Sequence, residues 1–178
     1  MSQIGLFYGS STGNTEFVAT LIAEEFAKRG FDSIELFDIG RVELSRLMDY
    51  DNLIIGCPTW NIGQLQDDWD IAESKLSQLD FTRKKVAIFG LGDQYGYPEN
   101  FCDAIGILDQ KFYNQGAELV GFTPVEDYDI SDSLGIEDGV FLGLALDEDN
   151  QSDLTTSRIQ DWVELLIQEF GLTVPALV

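Results

Sequence analysis

The sequence predicts an open, doubly wound α/β fold: a five-stranded parallel sheet with helices on both faces. Three observations carry this expectation. Apolar strand-like runs alternate with helical patterns along the whole 178-residue chain. Runs such as Val86-Ala87-Ile88-Phe89 are apolar at every position, which suits strands buried on both faces. The clearest helical stripe, Ile159, Trp162, Val163, Leu166, Ile167 and Phe170, keeps the helical period and stops at Gly171.

In chain order, residues 3–8 form the first strand, on the alternation of Ile4, Leu6 and Tyr8. A helix over 15–29 follows, with Phe17, Val18, Leu21, Ile22 and Phe26 on one stripe and Gly30 as its stop. Strand two covers 33–37, and a short helix lies at 42–48. Strand three, 52–57, leads to a helix over 67–78, and strand four, 85–91, leads to one over 101–115. Strand five starts at 118–122, but the next thirty or so residues, 123–155, are too long for a simple connection. They hold another strand-like piece, 140–146, so an insertion splits strand five before the last helix, 156–170. With no linker, repeat or low-complexity tract, residues 1–178 read as a single domain.

Composition removes several classes of function. The chain is 44% hydrophobic and 12% aromatic, enough for a packed core. It carries 32 acidic against 10 basic residues and no histidine, a net charge of −22. Nucleic acid and anionic membrane surfaces would be repelled, whereas a basic protein partner is the natural complement. Residues 112–157 contain eleven acids and no Lys or Arg, a one-signed stretch suited to steering such a partner or simply to keeping a loop solvated. Cys57 and Cys102 lack metal-ligand spacing and read as free thiols of a reducing compartment. Neither a signal peptide nor a membrane span is expected, and a cytoplasmic location follows.

Ligands of doubly wound sheets sit beyond the carboxyl ends of the strands. Three unusual loops fall there. The first, Gly9-Ser10-Ser11-Thr12-Gly13-Asn14-Thr15, joins a strand to a helix N-terminus, where amides and the helix dipole favour an anion. Asn14 stands where a nucleoside triphosphatase loop needs Lys, so the cradle suits one terminal phosphate held by neutral donors. An ordinary polar turn capping the helix has the same composition. The second loop, 58–66, places Trp60 as either a packing plug or a flat ligand surface. The third, 92–100, sets Tyr95 and Tyr97 among glycines. A phosphate cradle beside an aromatic slot suits a flat heterocycle with a phosphorylated tail.

Three segments, Ser10 to Thr15, Pro58-Thr59-Trp60-Asn61-Ile62-Gly63, and Gly90 to Phe101, resemble the flavodoxins. With the inserted loop and its sequel Leu142 to Asn150, the resemblance is to the long-chain type and runs from end to end. It implies the strand order 2-1-3-4-5, non-covalent FMN without a metal, and a monomeric one-electron carrier rather than a substrate-converting enzyme. By the same resemblance Ser10, Ser11, Thr12, Gly13, Asn14 and Thr15 hold the phosphate, and Trp60 and Tyr97 sandwich the isoalloxazine. Pro58, Thr59, Asn61, Ile62, Gly63, Gly92, Asp93, Asn100, Phe101 and Cys102 adjoin ring edges or ribityl through backbone or side chain. Asp149 is a further ribityl candidate.

The resemblance also implies work between the semiquinone and hydroquinone forms, with the acidic surface opposing the second electron. Its partners would be basic redox proteins: a ferredoxin–NADP reductase, a photosystem I acceptor side or another low-potential acceptor. In the family, the carbonyl between residues 61 and 62 turns toward the flavin on reduction. Ile62 resists positive φ more than glycine would, so weaker semiquinone stabilisation is expected than with glycine there. The main alternative is an NAD(P)H-dependent flavin or quinone reductase on the same fold, which needs a second-substrate pocket over the flavin. A receiver domain is excluded, because strand three ends Gly56-Cys57-Pro58 without a phospho-accepting Asp and no Lys follows Lys111. A flavin-free acidic binding module would be a colourless protein.

Overall fold

The computed structural model describes residues 4–174, so residue 3 of the expected first strand lies outside the described residues. The main elements are β1 (Ile4–Tyr8), α1 (Asn14–Lys28), β2 (Ile34–Asp38), β3 (Asn52–Trp60), β4 (Gln64–Leu65), α2 (Asp67–Leu76), β5 (Lys85–Leu91) and α3 (Asp103–Asn114). The chain continues through β6 (Glu118–Val120), β7 (Thr123–Pro124), β8 (Ile136–Glu137), β9 (Val140–Phe141), β10 (Leu144–Leu146) and α4 (Thr155–Glu169).

The central strands are parallel in the order β2-β1-β3-β5. The outer edge of β5 is shared: β6 pairs with Lys85–Ala87 and β10 pairs with Phe89–Leu91. Strand five is therefore one position filled by two pieces, as expected, but of the second piece read at 140–146 only Leu144–Leu146 joins it, while Val140–Phe141 pairs outside the main sheet. The inserted residues fold into a small antiparallel sheet, β7-β9-β8.

Successive strand residues feed opposite layers, because side chains alternate across a sheet. Phe7, Leu53 and Ile55 join α2 and α3 through Trp69, Leu76, Leu108 and Phe112. Leu6, Tyr8 and Ile54 join α1 and α4 through Val18, Ile22, Phe26 and Trp162. With both faces covered, only the strand ends remain open to a ligand.

Three expectations shift at their edges. The short helix read at 42–48 is a 3-10 helix at Leu44–Asp49. The loop read from residue 58 begins as strand, because Thr59 and Trp60 pair with Leu65 and Gln64 in a hairpin. The helix read from 101 starts at Asp103, since Cys102 adopts a left-handed φ of 53° and breaks the helical path before it.

Candidate cofactor-binding site

The three expected loops meet at the carboxyl edge of β1, β3 and β5. Gly9 N–H donates to Gly56 O at 3.0 Å, tying the first loop to β3. Ala104 N–H donates to Thr59 Oγ1 at 3.0 Å, tying the hairpin to α3. Gly92 N–H donates to Leu146 O at 3.0 Å, tying the third loop to β10.

The first loop is a donor cradle. Gly13 takes a φ of 93°, where glycine is permissive, and its N–H donates to Ser10 Oγ at 3.1 Å. The helical ladder of α1 begins with Phe17 N–H on Gly13 O, so the amides of Asn14, Thr15 and Glu16 have no partner behind them. Ser11, Thr12, Gly13 and Asn14 are exposed around these amides, while Thr15 is buried beneath them. Serine and threonine hydroxyls and first-turn amides suit a phosphate without any cation.

The second loop is the tip of the β3–β4 hairpin. Asn61 (φ 48°) and Gly63 (φ 75°) carry its two left-handed conformations, and Ile62 between them does not. Asn61 Nδ2 donates to Gln64 Oε1 at 2.7 Å, closing the tip. Pro58 and Trp60 are half-buried, Asn61 is exposed and Ile62 is 75% exposed.

The third loop is wound around Asp93. Its Oδ1 accepts the amides of Tyr95 (3.1 Å) and Gly96 (2.8 Å) and the Asn150 side-chain amide (2.8 Å). The Gly96 amide, with Asn150, holds the Asp93 carboxyl below the usual range. Tyr95 and Tyr97 are thereby displayed outward, 63% and 48% exposed. Asn100 Nδ2 donates to Asp103 Oδ2 at 3.1 Å.

Several candidate side chains are engaged within the scaffold. Phe101 and Cys102 are fully buried in the layer beneath α3, with Cys102 Sγ turned toward Leu146 O. The Thr59 hydroxyl serves α3, and the Asp93 carboxylate serves its own loop. Asp149 is exposed; partial burial, with the charges of Asp93 and Asp147, raises its carboxyl. Among the described residues no cluster of His, Cys, Asp and Glu could hold a metal.

The family model for flavodoxin matches residues 6–162. This chain belongs to the flavodoxin family. A flavodoxin of Nostoc sp. is 54% identical over 170 residues, covering 96% of this chain and 98% of that one. A flavodoxin of Haemophilus influenzae is 43% identical, covering 97% and 98%. Among solved structures, Fusobacterium nucleatum flavodoxin bound to flavin mononucleotide is 35% identical with a TM-score of 0.89, covering 95% of this chain and 99% of that one.

In this chain, three residues without an assigned role in the sequence reading hold the loops. Gln66, buried at the end of loop two, donates to Ser11 Oγ of loop one at 3.1 Å. Asp147, fully buried, accepts the Gln94 amide and side chain at 3.1 and 2.7 Å and Asn150 N–H at 3.0 Å. Gln94 Oε1 then accepts the Asp129 amide at 2.9 Å, joining loop three to the insertion. Gln66 precedes an acid-rich helix start, but Gln is not a usual N-cap, so the local signal was weak.

Proposed function

We propose that this flavodoxin-family chain is a low-potential one-electron carrier that works through non-covalently bound FMN. The observation that carries the reading is the meeting of an uncharged donor cradle with the outward-facing Trp60 and Tyr97 loops at one sheet edge. A dianionic phosphate fits amides and hydroxyls at a helix N-terminus, and a flat apolar ring system fits between aromatic walls. FMN supplies the one-electron redox chemistry when bound, and the protein tunes its potential.

The chain's own residues then have separable tasks. Ser10, Ser11, Thr12 and the amides of Asn14, Thr15 and Glu16 hold the phosphate. Trp60 and Tyr97 exclude water from the ring faces. The hairpin tip at Asn61–Gly63 and the backbone at Gly92 and Asn100–Cys102 would hold the ring edges, and Asp149 would hold the ribityl chain. The acids of loop three and of the insertion oppose added negative charge, which lowers the potential of the second electron.

The same acids suit docking to a basic redox protein, whether a ferredoxin–NADP reductase, a photosystem I acceptor side or another low-potential acceptor. No helix of the described residues is long and apolar enough to cross a membrane. Cys57 and Cys102 are free and buried, in keeping with a carrier of the reducing cytoplasm that works as a monomer.

An anaerobic reductive titration tests the reading. Two separate one-electron stages in the visible spectrum of a yellow protein support it. A single two-electron bleaching, with steady NADPH oxidation, would replace it by the reductase. A protein that takes up no flavin even when FMN is added would sink both.

A further inference from the structure

Gln66 is 1% exposed, a buried side-chain amide at the start of α2. Its Oε1 accepts the amides of Asp68 (3.2 Å) and Trp69 (3.3 Å), capping α2. Its Nε2 donates to Asp68 Oδ2 at 2.8 Å and, across 55 positions of sequence, to Ser11 Oγ at 3.1 Å. The contact with loop one is tight: a Cβ on Gly9 would fall 2.1 Å from Gln66 Oε1 and 2.7 Å from the Trp69 ring. Gln66 is thus a strut between the start of α2 and the floor of the phosphate cradle.

The direction of the bond to Ser11 matters. A hydroxyl that accepts from an amide has its own proton free to donate elsewhere, and accepting strengthens that donation. Ser11 is exposed on the cradle side, so its proton is available to a ligand anion. Gln66 also donates to Asp68 Oδ2, which occupies one lone pair of a carboxylate close to the cradle.

We propose that Gln66 is a positioning residue for phosphate recognition: it touches no ligand, but it fixes Ser11 as a hydrogen-bond donor and holds loop one against α2. This rests on the FMN reading above. It separates the phosphate from the rest of the cofactor, because the strut serves loop one and not the aromatic walls.

The test uses the full-length apoprotein and measures its affinity for FMN and for riboflavin, which lacks the phosphate, by quenching of flavin fluorescence. Wild-type protein that binds neither flavin removes the FMN reading itself. Given wild-type binding, Gln66→Met and Ser11→Ala should each weaken FMN about tenfold, with the double variant no weaker than the weaker single one. Riboflavin affinity should stay within about twofold in every variant. Gln66→Asn keeps a neutral side-chain oxygen to cap α2 and is one methylene too short to reach Ser11, so it should fold even if Gln66→Met does not. It should lose FMN affinity while keeping that for riboflavin. Equal losses for both flavins, unchanged FMN affinity in Gln66→Asn, or additive effects of Gln66→Met and Ser11→Ala would each overturn the assignment.

Discussion

The indole N–H of Trp69 donates to the carbonyl of Gly56 at 2.8 Å, the same oxygen that accepts the Gly9 amide at 3.0 Å. One backbone oxygen on β3 thereby fixes both the loop after β1 and the helix that follows the hairpin. The two donors satisfy both lone pairs of a buried carbonyl, so neither is redundant.

Trp69→Phe removes one of these donors and leaves a smaller ring in a fully buried slot. The lost hydrogen bond and the lost packing together should cost about 2–3 kcal/mol. Urea unfolding of the apoprotein should show a lower midpoint at unchanged slope. A midpoint equal to wild type would mean that the indole bond adds nothing.

Gly106 on α3 lies directly under the inserted loop. A Cβ there would sit 1.8 Å from Leu134 O, a backbone atom that cannot rotate aside. Gly106→Ala gains about 1 kcal/mol of helix propensity, but the collision should outweigh it by about 1–2 kcal/mol net. The loop is also held by Leu134 N–H on Asp103 Oδ1 at 2.8 Å and by the amides of Ser131 and Asp132 on Pro98 O at 2.8 and 3.1 Å. The expected sign of its displacement is faster limited proteolysis within residues 123–143.

Asp109 on α3 has a buried Oδ1 without a partner, and burial, with Glu137 of β8 adding like charge, raises its carboxyl to about 6. A folded value above the unfolded one, roughly 3.9, means that the protonated form is favoured in the native state. Its contribution is full below about pH 4 and is lost as pH rises through about 6. Asp109→Asn should therefore be more stable than wild type at pH 8, by about 1 kcal/mol after allowance for partial exposure, and lose that advantage at pH 4. Thermal midpoints at the two pH values check the sign.

Turning over the peptide between Asn61 and Ile62 changes ψ of the first residue and φ of the second, driving Ile62 toward positive φ. In the observed hairpin that burden falls on Asn61 and Gly63 instead. A left-handed isoleucine costs about 1–2 kcal/mol more than glycine. Ile62→Gly should raise the potential of the first electron by about 40–80 mV, taking ~59 mV per ~1.4 kcal/mol for one electron. Spectroelectrochemical titration showing an unchanged first potential would remove Ile62 from that role.

Much of the fold was legible because it repeats a local rule. Apolar runs and alternation marked the central strands, helical stripes marked α1 and α4, and the long connection after β6 marked an interrupted strand five. The loops at the strand ends were legible for the same reason, since their glycines, hydroxyls and aromatics break that pattern at three equivalent places. The hairpin was not. Residues 58–60 continue as strand only because Gln64 and Leu65 return beside them, a pairing that no local propensity announces.

The sequence by itself determined the layers, the strand positions and the placing of Ser10–Thr15, Trp60 and Tyr97 at sheet ends, because periodicity and turn chemistry are properties of neighbours in the chain. The tertiary structure alone decided how those loops are held. Gln66 meets Ser11, Asp147 gathers Gln94, and the insertion grips Pro98 and Asp103, each across 30 or more residues. It also decided that Thr59, Asp93 and Cys102 spend their side chains on the scaffold. A buried polar group must find a partner, and which partner it finds depends on the packed fold rather than on its neighbours in sequence.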